Sequence, residues 1–278
     1  ENREWQFRGT LPQPLAYGMS VPLGDGLLCI GGTGYSGQSR QVFKIRTGER
    51  EIYLIDRSCP DLPAAVSERA AAIIGSKVYV AGGIADGMPS ATVWMLDTES
   101  SNRMWIPIAP LPSPAVQPVM ASSNGKLYLW YGCNTATGEV SGRGLCYDPD
   151  TDSWTPVAPH PAGGTFTGAV SATIPDGRIF CAGGVDREIF AEALKYNTRE
   201  QIREYQLRPQ SSYRFQGDAW VYDPATDSWR NCGSNNFSLA RAGAGIAVTP
   251  SGILVIEGEL KPGIRTPQIA LIPLDTLR

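Results

Sequence analysis

Five short apolar runs, each closed by glycine, recur along the chain. They read L-L-C-I-G-G (to Gly32), V-Y-V-A-G-G (to Gly83), L-Y-L-W-Y-G (to Gly132), I-F-C-A-G-G (to Gly184) and I-L-V-I-E-G (to Gly258). Apolar runs this short, bounded by turn formers, predict strands buried in a protein of several sheets. The closing glycines stand 51, 49, 52 and 74 residues apart. Three nearly equal periods and one enlarged one define a repeated unit with a single insertion.

Each unit carries a second signature downstream. C-Y-D-P-D-T-D-S-W (residues 146–154) and V-Y-D-P-A-T-D-S-W (residues 221–229) are near copies, and M-L-D-T-E-S-S-N-R-M-W (residues 95–105) is a looser one. The pattern predicts a strand, an Asp-Pro or Asp-Thr turn, and a Trp-bearing strand. The tryptophan is expected to pack between neighbouring sheets, because an aromatic of that size supplies much of a small sheet's burial. The 31 glycines and 22 prolines provide the turns that so many short strands require.

The repeat resembles the kelch repeat, whose four-stranded sheets pack radially into a β-propeller. That resemblance implies an all-β fold with blades at roughly 15–55, 66–110, 115–158, 165–232 and 240–275, all within one domain spanning residues 1–278. The glycine-closed strand of each blade would lie near the axis, where glycine lets backbones approach. Too little chain follows Leu274 for a further outer strand. E-W-Q-F-R-G-T at residues 4–10 reads as such a strand and is expected to close the ring by completing the C-terminal blade.

The long interval contains V-D-R-E-I-F-A-E-A-L-K-Y-N-T-R-E-Q-I-R-E-Y after Gly184. Ile189, Phe190, Ala193, Leu194, Ile202 and Tyr205 are its apolar positions in an otherwise charged run. The spacing and the helix-forming composition predict one or two short amphipathic helices at about 186–212. Such an excursion serves either as a lid on the rim or as packing on the propeller edge.

Charge and composition narrow the chemistry. The net charge of −3 supplies no basic field for nucleic acid or an acidic membrane. No apolar run reaches membrane-spanning length, and no signal peptide opens the sequence. The six cysteines form no C-x-x-C pair; Cys29, Cys133 and Cys181 sit beside glycines at strand ends and read as small core residues. The single histidine, His160, argues against a His-built metal site and against a Ser-His-Asp triad.

Residues 252–266, G-I-L-V-I-E-G-E-L-K-P-G-I-R-T, concentrate the charge. After the buried run Ile253, Leu254, Val255 and Ile256, the chain places Glu257, Glu259, Lys261 and Arg265 around Gly258, Pro262 and Gly263. Charged side chains on a stiff turn at the end of a core strand are either a surface ion pair or the start of a site.

E-L-K-P-G-I-R-T closely resembles the E-x-K-P-G-x-R-T segment of the bacterial N-acetylneuraminate epimerases, or sialic acid mutarotases, a kelch-propeller family. The resemblance implies Glu259 as proton acceptor and Arg265 as its partner or the anchor of the substrate carboxylate. The substrate would be a small-molecule sialic acid, and anomer exchange needs no redox cofactor and no metal. G-G-V-D-R-E-I-F matches the family's G-G-V-N-x-x-I-F before a similar insertion. The family is six-bladed and five repeats are visible here, in rotated order: A-Y-G-M-S-V-P-L-G-D-G-L-L-C-I-G-G resembles the family's last blade. The family acts in the periplasm; unpaired cysteines fit a reducing interior as well.

Further binding candidates are Arg69 and Arg241, read as opening inner strands, with a role in fixing blade backbones as the alternative. Asp186 and Glu188, which follow a glycine pair beside Arg187, and Asn134 and Gln117 complete the set. Leu15 stands where the family has an arginine. The competing functional class is a kelch propeller that binds protein or glycan without turnover. A copper radical oxidase would need more histidines, and the D-P-x-T-D-S-W turns lack a sialidase's Asp-box pattern.

Overall fold

The computed structural model describes residues 7, 9–11, 13–46, 54–234 and 236–277. Among them, strands alternate with tight turns to give five successive antiparallel sheets, one in each expected repeat. The first contains Met19–Leu23, Gly26–Ile30, Val42–Arg46 and Leu54–Asp56. The second contains Ala70–Ile74, Lys77–Ala81, Val93–Asp97 and Ile106–Ile108, and the third Val119–Ser123, Lys126–Trp130, Gly144–Asp148 and Ser153–Val157. The fourth contains Val170–Thr173, Ile179–Ala182, Ala219–Asp223 and Ser228–Gly233. The fifth has three strands, Gly245–Thr249, Gly252–Ile256 and Ile269–Ile272. The expected closing strand at residues 4–10 falls largely outside the described residues.

Hydrophobic alternation along the strands places the core between sheets rather than inside any one of them. Val21, Leu28 and Ile30 of the first sheet meet Val78, Val80 and Leu96 of the second. Tyr79 and Ala81 meet Leu127 and Leu129, Trp130 and Tyr128 meet Ile179 and Tyr222, and Phe180 and Val221 meet Ile253 and Val255. The leading strands of the five sheets pack side by side in chain order.

The Trp signature fastens the second, third and fourth sheets each to the one before it. Asp152 accepts hydrogen bonds from Ala109 N (2.9 Å) and the Tyr147 hydroxyl (2.8 Å), while Trp154 Nε1 donates to Ala109 O (2.8 Å). One repeat later, Asp227 accepts from Ala158 N (2.7 Å) and the Tyr222 hydroxyl (2.7 Å), and Trp229 Nε1 donates to Ala158 O (3.2 Å). In the looser copy Trp105 donates to Pro60 O (2.9 Å). Turn and tryptophan thus grip the same backbone residue from two sides, and the indole's position between sheets is as expected.

In four repeats the glycine-closed strand runs on into a short excursion pair: Thr33–Gly34 with Gly37–Gln38, Ile84–Ala85 with Met88–Pro89, Cys133–Asn134 with Glu139–Val140, and Glu259–Lys261 with Ile264–Arg265. The fourth repeat replaces this hairpin with the helical insertion. Helix α1 (Arg187–Ala193) is capped by Asp186, and helix α2 (Arg199–Leu207) by a Thr198–Gln201 capping box. A 3₁₀ turn at Gln210–Tyr213 follows. Phe190, Ala191 and Leu194 pack on Val116, Cys133 and Val140, so the insertion leans on the third repeat's hairpin.

All six cysteines are free, with Cys133, Cys146 and Cys181 buried and Cys29, Cys59 and Cys232 partly exposed. Burial pushes the Cys133 thiol up to about 12, the behaviour of an inert core thiol.

Candidate functional site

A belt of backbone hydrogen bonds runs along the sheets where their leading strands begin. Tyr17, Glu68, Gln117, Gly168 and Gly243 each stand two residues before the leading strand of their sheet. All five adopt left-handed backbone, with φ of 55°, 55°, 53°, 69° and 59°. Glu68 N donates to Tyr17 O (3.0 Å), Gln117 N to Glu68 O (2.9 Å), Gly168 N to Gln117 O (3.4 Å), and Gly243 N to Gly168 O (2.8 Å). Each link joins neighbouring sheets, and all five residues line one cavity of about 730 Å³.

Glu259 enters this cavity through the repeat itself. The residue before each belt position pairs with the start of the following excursion: Ala16 with Thr33, Ser67 with Ile84, Val116 with Cys133, and Ala242 with Glu259. In the fourth repeat Val185 N donates to Thr167 O at the same place. Where the other repeats carry Thr, Ile, Cys and Val, the fifth carries a carboxylate.

Arg265 lies opposite Glu259 in the hairpin register, its guanidinium 3.8 Å from the carboxylate. Both residues line the cavity. Glu259 is the more sheltered, with 27% of its side chain exposed against 55% for Arg265. Gly263 N donates to Glu259 Oε1 (3.3 Å), which fixes the carboxylate against its own turn. Beneath the pair the wall is built from Gly168, Ala169, Ala242, Gly243 and Ala244, so little side-chain volume intrudes. Lys261, on the same hairpin, donates to Gln206 O (3.1 Å) and Arg208 O (2.9 Å) at the C-terminal end of α2.

The structure separates the remaining candidates. Gln117 lines the cavity and donates to Glu68 Oε2 (2.6 Å). Arg69 contributes to the wall, but its guanidinium is turned into the second sheet. It bonds Thr92 O, Ser90 Oγ and Thr92 Oγ1 and lies 4.4 Å from the centre of the Trp94 ring. Burial pushes Arg69 down to about 10, which still leaves it charged at neutral pH. Arg241, 1% exposed, donates to Glu257 O (2.8 Å) and Gln268 O (2.9 Å) and so holds the bends on either side of the Glu259 hairpin. The two arginines are not equivalent: Arg69 directly precedes its leading strand, whereas Arg241 lies four residues before Gly245.

Asp186, Glu188 and Asn134 are not part of the cavity wall. Asp186 caps α1 and pairs with Arg214 (3.3 Å), Glu188 is 90% exposed, and Asn134 Oδ1 accepts from Ala136 N within its own turn. Conversely, Glu68 and Tyr17 line the cavity although motif reading passes over them. Aligning the repeats on the leading strand would have found both, since they occupy the position of Gln117.

Sheets stacked side by side in chain order, with a polar cavity at their leading strands, define a kelch-type β-propeller. The solved structure described as "Structure of YjhT" matches with a TM-score of 0.67 at 24% identity, covering 76% of this chain and 62% of that one. The N-acetylneuraminate epimerase family profile matches residues 59–277, and the chain belongs to that family. Among relatives, N-acetylneuraminate epimerase of Brucella melitensis is 30% identical over 77% of this chain and 58% of its own length. That of Pasteurella multocida is 32% identical over 76% of this chain and 58% of its own. The chain thus spans somewhat under three fifths of these relatives' length.

Proposed function

We propose that this chain is a sialic acid mutarotase, interconverting the α and β anomers of N-acetylneuraminate. The observation that carries the reading is the pairing of Glu259 and Arg265 at 3.8 Å on the wall of a cavity that residues from all five repeats line. Membership of the epimerase family supports the same substrate class.

Exchange of anomers requires opening and reclosing of the sugar ring. Glu259 takes the proton of the anomeric hydroxyl as the ring C–O bond breaks, and the protonated carboxyl returns it to the ring oxygen. Rotation in the open keto form presents the other carbonyl face, and closure runs the two proton transfers backwards. Arg265 holds the substrate carboxylate in a two-point clamp, which fixes the anomeric carbon beside Glu259. A positioned acid/base of this kind contributes roughly 10²–10⁴-fold. Gln117 lies within the same cavity as a binding residue, while Arg69 and Arg241 serve by holding the backbone of the wall. In this reading the sheets are consecutive propeller blades.

Anomer exchange followed by NMR, with the spontaneous rate subtracted, tests the proposal. Glu259→Gln is expected to remove at least about 10² of the excess rate, and Arg265→Lys to raise KM by roughly tenfold while keeping the charge. Full activity in Glu259→Gln would remove that residue from the mechanism. Absence of exchange in the wild-type protein would favour a non-catalytic propeller that binds protein or glycan.

A further inference from the structure

Three of the five belt positions carry side chains in a backbone region that glycine enters freely and other residues enter at a cost. Gly168 and Gly243 occupy the same position in the fourth and fifth sheets, so the belt itself requires no side chain there. Retaining Glu68 and Gln117 at such positions therefore calls for a reason beyond the fold.

The two are neighbours on the belt, joined by backbone (2.9 Å) and by side chain (2.6 Å). Gln117 spends one amide N–H to fix the Glu68 carboxylate. What the pair then offers the cavity is chiefly acceptors: the second carboxylate oxygen and the amide oxygen of Gln117. Glu68 has no salt-bridge partner among the described residues. On the wall supplied by the fifth sheet, Arg265 offers only donors. Glu259 stands beside that guanidinium, so the two walls differ in this: the fifth repeat's wall pairs a carboxylate with a cation, and the Glu68 wall presents a carboxylate held only by an amide.

We infer that Glu68, oriented by Gln117, binds the hydroxylated tail of the sugar acid whose carboxylate Arg265 holds. The inference rests on the mutarotase reading. N-acetylneuraminate carries its carboxylate on the anomeric carbon and a three-carbon hydroxylated chain on the other side of the ring oxygen. A carboxylate accepts strong hydrogen bonds from neighbouring hydroxyls and repels anions, so the Glu68 wall rejects the acid end and accepts the polyol end. The belt glycines at 168 and 243 leave room for the ring between the two walls. One orientation satisfies both, and that orientation brings the anomeric centre to Glu259.

The test compares N-acetylneuraminate with an analogue whose tail has been cut to a single carbon by periodate cleavage and reduction. Binding is measured by titration calorimetry and anomer exchange by NMR, for wild type, Glu68→Gln and Glu68→Gly. Glycine suits the left-handed turn, so the second variant removes the carboxylate without straining the backbone, and thermal unfolding checks that both variants are folded. Both are expected to bind the full sugar roughly 10- to 100-fold more weakly and the shortened sugar as the wild type does. Equal losses for the two sugars, or no loss, would overturn the inference. A wild type that exchanges anomers with an affinity indifferent to Glu68 refutes the tail assignment and leaves the mutarotase reading intact. Tail binding through Glu68 without anomer exchange does the reverse.

Discussion

The ammonium of Lys261 donates to the carbonyl of Arg208 at 2.9 Å, tying the hairpin that carries Glu259 to the end of helix α2. The unsatisfied carbonyls of a helix C-terminus favour a cation, and here the cation belongs to the hairpin of the candidate site. Arg208 in turn stacks near Tyr196 and Tyr205, and the Tyr213 hydroxyl closes on Tyr205 O. The insertion is therefore clasped to the candidate site rather than merely laid on the rim.

Lys261→Met removes this clasp and keeps most of the side-chain volume. It is expected to speed hydrogen exchange in α2 and the following 3₁₀ turn and to reduce anomer exchange severalfold. Unchanged exchange protection over residues 199–213 would show that the insertion is held by its own packing instead.

Gly83 tests the close approach that the glycine-closed strands provide. It has φ of +75°, and a Cβ there would stand 2.4 Å from Ser67 O and 2.2 Å from Arg69 Cγ. Gly83→Ala is expected to destabilise the protein by about 3 kcal/mol, from left-handed strain and overlap with backbone together. Urea unfolding reads the change; a loss below about 0.5 kcal/mol would mean that residues 67–69 of the same repeat can move aside cheaply.

His160 gives a pH signature. Burial, assisted by Arg187, pushes it down to about 4 from the ordinary 6.5. Its Nδ1 accepts from Ala162 N and Gly164 N (both 3.3 Å), and the ring packs against Phe166 and Trp220. The unfolded chain takes up this proton near pH 6.5 and the folded one only near 4, so stability falls as pH drops through that window and levels off below it. The full effect is on the order of 3 kcal/mol. His160→Asn, which keeps an acceptor, is expected to be less sensitive to acid than the wild type. Parallel pH slopes in urea unfolding would exclude His160 as a source of acid lability.

The architecture was legible wherever local sequence carries the geometry. Glycines such as Gly83 and Gly184 recur because backbone from the same repeat lies too close for a Cβ, and Asp152 and Trp154 recur because both grip Ala109. Helices α1 and α2 were legible from composition and spacing. The site was legible only in part. Glu259 and Arg265 stand out as charges after a buried strand, whereas Glu68 earns its place through backbone shape and belongs to no motif. Arg69 and Arg241 read equally well as channel cations; the carbonyls and hydroxyls that engage them come from distant residues that spacing does not reveal. Asp186, Glu188 and Asn134 follow a strand-end glycine as Glu259 does, yet Asp186 turns to cap a helix, Asn134 to its own turn and Glu188 to solvent, a choice set by rotamer and neighbours.

The hydrogen-bonded girdle from Tyr17 to Gly243 is made wholly of main-chain groups, so its course is indifferent to what hangs from it. Five positions consequently face the same chamber, and a side chain at any of them costs left-handed strain while leaving the girdle's own hydrogen bonds in place. Recognition in such a chamber can be rewritten one sheet at a time, with the acid and its guanidinium left where they are.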